Sequence, residues 1–326
     1  MSKKFKKDCR KIAVCLYGQY RTGDYVLPYM KKTAQQVNYS DVDFFCSSKQ
    51  SSSYAFSASA KESGLDVKKV MPAKKIVKSI INSKIDAKKI NIVNDDIDKE
   101  FERQGADRHA ILYSMADSLR LKTQFEIEND FTYDIVVLTR YDTFISPMNY
   151  LEYLRRWYNT VTLNHFEKAF VYNVQNNWLI TQPLWTKEHG AGTLAGLQDI
   201  ILIGSSVAMD QLTTELEYII HSVLNIDTSE TLDAYNLCGH TGLFNAVRSA
   251  GIGYSHGYGF IDKQVNMMYF DYTDYKKVND RFRSGIKFTL LRDSWDIENM
   301  IKQYPLEDAN FDYWQEQWKQ DRVIFW

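Results

Sequence analysis

Cysteine and proline are scarce in this 326-residue chain, which has four of the first and five of the second. Cys9, Cys15, Cys46 and Cys238 are scattered without a CxxC pair, and His240 is the only histidine near one of them at a ligand-like spacing. That argues against a disulfide framework or a zinc cage and for free, mostly buried thiols. No apolar run approaches the roughly 18–20 residues that a membrane-spanning helix needs. The opening MSKKFKKDCRK is basic and lacks the apolar stretch of a secretion signal, so a cytoplasmic location is expected. Neither GxxxxGK[ST] nor GxGxxG occurs. Kinases, P-loop ATPases and ordinary dehydrogenases are therefore poor readings. Internal repeats, heptads and low-complexity tails are also missing.

What is present is ordinary globular material, 44% hydrophobic and 25% charged, enough to bury a substantial core. The net charge of −1 conceals an uneven distribution. Residues 1–93 hold 19 Lys/Arg against 7 Asp/Glu, so of the totals of 40 and 41 the remainder holds 21 against 34. A basic part facing an acidic part suits a phosphate-bearing ligand and a cation, although a solvated lysine-rich surface has the same composition. The lysines of KKIVKSIINSKIDAKK are not interleaved with aromatics, so no nucleic-acid partner is expected.

The hydrophobic pattern predicts an α/β fold. KIAVCLYG reads as a buried strand, QYRTGDY as a loop, VLPYMKKTAQQV as a helix and DVDFFCSS as a second strand, which is the βαβ signature of a parallel sheet. KQSSSYAFSASAKESG reads as a mobile loop, and VKKVMPAKKIVKSIINSKI as a short strand and helix. Asp107 is positioned to cap a helix carrying Ile111, Met115 and Leu119, which leads into YDIVVLTRYD. Four consecutive apolar residues there predict a central strand covered on both faces. Later segments predict a helix in NYLEYLRRWYN, strands in KAFVYNV, NNWLI and LQDIILIGSS, a helix with Leu212, Leu216, Ile219 and Val223 on one face, and a helix in GHTGLFNAVRSAG. The expected organisation is one compact unit over residues 1–262 with an aromatic and charged C-terminal extension over 263–326.

Four segments carry residues suited to chemistry. YDIVVLTRYD delivers Arg140 and Asp142 at the carboxyl end of its strand, where ligands of open parallel sheets gather. An aspartate there can hold a divalent cation and an arginine can grip phosphate, but an Arg–Asp pair also serves to fix a loop. In VCLYGQYRTGDY, Tyr17 and Gly18 end the strand and are followed by Gln19 and Arg21. Glycine lets the backbone approach a ligand, glutamine can read a base or ribose, and arginine can meet phosphate. Asp199, entering a buried strand, can act as a general base, or is simply a solvated strand start. In SETLDAYNLCGHTGLF, Glu230, Asp233 and His240 offer acid, base or metal-ligand capacity. The Gly-Tyr repeats of GIGYSHGYGF suit sugar stacking, and equally an aromatic core.

Taken in order, IAVCLYGQYRT, DVDFF with its small polar followers, and a helix leading into YDIVVLTRYD resemble a group of GT-A-type glycosyltransferases of viruses, phages and bacteria. These include enzymes of viral glycan and surface-polysaccharide synthesis. The resemblance covers roughly residues 11–48 and 107–250. It implies a GT-A-like, Rossmann-like, mostly parallel central sheet flanked by helices. It also implies a nucleotide-diphosphate sugar as donor, a glycan or polysaccharide as acceptor, and, for a viral enzyme, the host cytoplasm as location. Gly18, Gln19 and Arg21, with Tyr17 beside them, would then touch the nucleotide, and Arg140 and Asp142 the diphosphate and a Mn²⁺ or Mg²⁺ ion. Asp199 and Asp233 are the catalytic candidates. The family's Asp-x-Asp is replaced here by Arg-Tyr-Asp, so a cation at Asp142 would need a second ligand such as His240 or Asp199, while Arg140 can supply part of its charge. The competing readings are an inactive sugar-binding or structural protein on the same fold, and a nucleotidyltransferase, for which a Gly-rich loop with lysine would be expected after the first strand.

Overall fold

The computed structural model describes residues 11–37, 42–52, 74–104, 110–145, 178–181, 183–185, 194–197, 199–225, 239–256 and 288–290. The first half contains β1 (Ile12–Gly18), α1 (Gly23–Val37), β2 (Val42–Lys49), β3 (Ser51–Ser52), β4 (Lys74–Lys75), α2 (Lys78–Asn82), β5 (Ala87–Val93), α3 (Asp96–Arg103) and α4 (Ala110–Glu128). Then follow β6 (Ile135–Arg140), β7 (Thr143–Ile145), β8 (Trp178–Thr181), β9 (Pro183–Trp185), β10 (Leu194–Leu197) and β11 (Ile201–Gly204). The last described elements are α5 (Ser206–Leu224), α6 (Gly239–Ser249), β12 (Gly253–His256) and β13 (Phe288–Leu290).

A seven-stranded sheet in the order β12-β8-β11-β6-β1-β2-β5 forms the centre. Six of its strands run in one direction and β11 alone runs against them, pairing antiparallel with both β6 and β8. The fold is therefore α/β with a mostly parallel central sheet flanked by helices. From β1 the chain moves outward through β2 to β5, then returns to lay β6 on the opposite side of β1. The order of travel reverses between β1 and β6, and at such a switch point the flanking loops diverge and leave a crevice beyond the strand ends.

Alternation along the strands explains the unbroken apolar runs. Ala13, Cys15 and Tyr17 of β1, with Val136 and Leu138 of β6, face a core built with α4, α5 and α6. Ile12, Val14 and Leu16, with Ile135 and Val137, face a second core that includes Leu27 of α1 and Ile76, Ile81 and Ile85. With helices on both faces, both sets of alternate positions must be apolar. Cys15 and Cys46 are buried free thiols within these cores. Burial pushes the Cys46 thiol up to about 12, so neither its environment nor its exposure suits a nucleophile.

Several expectations need correcting. The first helix begins at Gly23, ahead of VLPYM. The presumed mobile loop starts as structure, since Lys49 closes β2 and Ser51–Ser52 pair with Lys74–Lys75. The apolar face of α5 is Leu212, Leu216, Ile220 and Val223, because Ile220 rather than Ile219 is buried. Edge strand β5 and helix α3 were not anticipated at all. Asp107 as a cap, the helix in NYLEYLRRWYN, the strand in KAFVYNV and most of residues 263–326 lie outside the described residues. Within that last stretch, β13 pairs antiparallel with β7. No helix among the described residues is long and apolar enough to cross a membrane.

Candidate functional site

The register of the central sheet creates the site. Parallel pairing sets Tyr17 against Arg140 at the carboxyl ends of β1 and β6. Because β11 runs the other way, its amino end lies at the same edge, with Ile201 opposite Thr139. The residues just before β11 are tied there twice. Thr139 Oγ1 donates to the Ile200 carbonyl at 2.9 Å, and the Tyr17 hydroxyl donates to the Asp199 carbonyl. Residues more than 180 positions apart in sequence thus meet at one edge of the sheet.

Asp142 is the centre of the constellation and is 1% exposed. Arg140 grips it with two nearly parallel bonds, Nε to Oδ1 at 2.8 Å and Nη2 to Oδ2 at 2.8 Å. Arg21, from the loop after β1, adds Nη1 to Oδ2 at 2.6 Å. Arg140 also reaches Asp199 Oδ2 with Nη1 at 3.4 Å, so one guanidinium joins two carboxylates. Burial alone would raise the Asp142 carboxyl, but the adjacent Arg140 and Arg21 outweigh it and hold the group below the ordinary aspartate range. Burial likewise opposes the charge on Arg140, and Asp142 and Asp199 more than restore it. Two guanidiniums and two carboxylates bring the cluster to formal neutrality in a site mostly closed to water.

The loop that presents Arg21 has unusual backbone. Gly18 lies at φ +90°, where a side chain would be strained, so glycine is the residue that lets the chain turn away from β1. Arg21 itself sits at φ +40°, a left-handed conformation that costs a non-glycine residue about 1–3 kcal/mol. Gly23 has a different reason to be small, because a Cβ there would meet the Tyr20 ring at 2.7 Å. The Tyr20 ring in turn packs on Tyr141, centroids 5.5 Å apart, fixing the loop to the residue between Arg140 and Asp142. Gln19 accepts from Arg21 Nε at 3.3 Å and steadies the guanidinium.

The structure therefore brings together Tyr17, Gly18, Gln19, Arg21, Arg140, Asp142 and Asp199. Asp233 lies outside the described residues, and of His240 only its place in helix α6 is described. Both oxygens of Asp142 are engaged by guanidinium N–H groups, and among the described residues no group of three potential metal ligands exists. One residue escaped the sequence reading. Thr143 is fully buried beside Asp142, and its Oγ1 has no hydrogen-bond partner among the described residues. Leaving a hydroxyl so costs about 1–3 kcal/mol, yet a threonine in YDTF gives no sign of it.

No family model matches the chain, and no curated protein matches it. Among solved structures, a galactosyltransferase, LgtC, in complex with donor and acceptor sugar analogues aligns at a TM-score of 0.30 with 9% identity, covering 76% of this chain and 74% of its own. The apo form of mouse xyloside xylosyltransferase 1 aligns at a TM-score of 0.38 with 9% identity, covering 87% of this chain and 97% of its own. At such scores neither match assigns the chain to a family or an activity.

Proposed function

We propose that the chain is a glycosyltransferase that moves a sugar from a nucleotide-diphosphate donor to a hydroxyl of a glycan or polysaccharide. The observation that carries this reading is the position and strain of Arg21. A non-glycine residue is held in left-handed backbone at the switch point of a parallel sheet, its guanidinium converging with Arg140 on one buried carboxylate. Strained backbone collects at ligand sites, and a guanidinium pair at the strand ends of a parallel sheet suits a diphosphate.

In the proposed reaction the nucleotide lies over the end of β1, with its backbone approach at Gly18 and Gln19 contacting the base or ribose. An acceptor oxygen attacks the anomeric carbon, forming the new C–O bond while the bond to the diphosphate breaks and its electron pair leaves with the phosphate oxygen. Arg21 and Arg140 stabilise the charge that develops there. The acceptor proton passes to a carboxylate, for which Asp199 is placed at the crevice and Asp233 remains the second candidate. Holding donor and acceptor in line supplies the remainder of the rate enhancement. A sugar-binding protein without turnover is the second reading, favoured by the closure of both arginines on Asp142.

A thermal-shift panel tests the binding half of this proposal. A ligand specific to the native state adds about 2.7 kcal/mol at a hundredfold excess over its Kd. One nucleoside diphosphate family is expected to raise the melting temperature by several degrees, with the parent nucleoside giving little. A flat response to UDP, GDP, ADP and CDP alike would remove nucleotide-sugar chemistry from the account.

A further inference from the structure

We infer that this site takes its diphosphate without a divalent cation, Arg21 exchanging the Asp142 carboxylate for a phosphate while Arg140 keeps the ionised Asp142 paired. The inference rests on the glycosyltransferase reading and concerns how the same crevice handles charge. A carboxylate binds Mg²⁺ or Mn²⁺ through its oxygen lone pairs, at about 2.0–2.1 Å for Mg²⁺. Here three guanidinium N–H groups already point at those lone pairs, two from Arg140 and one from Arg21. Of the carboxylate's roughly four lone-pair sites three are taken, and a dication on the remaining one would sit against two guanidinium charges. Asp199, the nearest described alternative, is itself joined to Arg140. The position two residues before Asp142, where a second acidic ligand would stand in an Asp-x-Asp pair, is Arg140. The donor set among the described residues does not fit a cation.

The same geometry fits an anion. A phosphate presents two oxygens with nearly the spacing of a carboxylate, so a guanidinium can exchange one for the other with little change in orientation. Arg21 is the member placed to do so. It is the most exposed of the four charged groups, its side chain 15% accessible, and it holds Asp142 by one bond where Arg140 holds it by two. When Arg21 turns to the ligand, the buried Asp142 retains its bidentate partner and no charge is left stranded.

The test is calorimetric titration of the full chain with UDP, GDP, ADP and CDP, each in EDTA and in Mn²⁺. The expected result is that at least one binds, with affinities in the two buffers agreeing within about threefold, a difference under one kcal/mol. Arg21→Ala should weaken that binding by about tenfold to a hundredfold in both buffers, as loss of a charge-assisted hydrogen bond does. Arg21→Lys should recover part of it, because a point charge replaces a fork. Binding that requires Mn²⁺ and vanishes in EDTA would overturn the cation-free site while leaving the glycosyltransferase reading intact. EDTA-resistant binding untouched by Arg21→Ala would overturn the role given to Arg21. Absence of binding in either buffer would overturn the glycosyltransferase reading and this inference together.

Discussion

Arg140→Met is expected to lower folding stability by about 3–5 kcal/mol at neutral pH and to abolish turnover, because it takes the bidentate partner from buried Asp142 and a guanidinium contact from Asp199. Asp142 would keep only its single bond to Arg21, and Asp199 would lose the Arg140 contact. The pH dependence separates this cause from a packing defect. In the native protein the Asp142 carboxyl is held below its ordinary value. Its contribution is therefore complete above the unfolded aspartate pKa of about 3.9 and is lost as pH falls through the depressed folded value. Without Arg140, burial dominates and the folded value rises, so protonation on acidification relieves the variant while it weakens the native protein. The stability gap measured by urea denaturation should be largest near neutrality and narrow as pH falls through the carboxylate range. A gap independent of pH would assign the loss to packing.

Lys122→Met should be comparably destabilising, by about 3–5 kcal/mol, for a reason remote from the crevice. Lys122 is fully buried between α4 and α5. Its ammonium donates to Glu126 at 2.8 Å, to Asp210 at 2.7 Å and to the Ser206 hydroxyl. Glu126 also accepts from the Tyr133 amide at 2.6 Å and from Ser206 Oγ at 2.7 Å, so one cation ties two helices to the segment entering β6. Removing it leaves Glu126 buried without its counter-charge, which costs far more than the pair itself contributes. Replacing Lys122, Glu126 and Asp210 together with apolar residues of similar volume should restore part of the loss, since the buried Tyr133 amide is then left without its Glu126 acceptor. Denaturation midpoints of the single and triple variants test this directly. A single variant within about 0.5 kcal/mol of the native protein, the usual scatter of surface substitutions, would show that water reaches the cluster.

The two large variants differ in their functional reach. Nucleotide affinity should survive Lys122→Met under conditions where the variant is folded, since none of its partners lies at the carboxyl ends of β1 and β6. Arg140→Met should not permit turnover at any temperature. That contrast distinguishes residues that hold the sheet from those that hold the ligand.

How far the sequence speaks depends on how locally each feature is encoded. IAVCLYG and IVVL are legible as buried strands because helices cover both faces and every position must be apolar. Edge strand β5 is not, because its lysines Lys88 and Lys89 interrupt any apolar pattern and most of its residues are only half-buried. Helix α3 buries Phe101 alone, which is too little to create a period. Arg140 and Asp142, two positions apart after a recognisable strand, are visible as a pair. Arg21 is visible only as an arginine near a glycine. Its bond to Asp142 spans 121 residues and exists because β1 and β6 pair in one particular register, which no local pattern encodes. Asp199 reaches the same edge only because β11 runs antiparallel, and a buried apolar run is silent about its direction.

The most direct test of glycosyl transfer is to incubate the chain with a panel of UDP-, GDP- and ADP-sugars and a mixture of glycan and polysaccharide acceptors and follow release of the nucleoside diphosphate, with Arg21→Ala as the control. The account predicts that one donor family is consumed by the native protein, that EDTA leaves the rate largely unchanged, and that Arg21→Ala loses most of it. No consumption of any donor, by a protein that nevertheless binds the nucleotide, would contradict the enzymatic claim and leave a sugar-nucleotide-binding protein in its place.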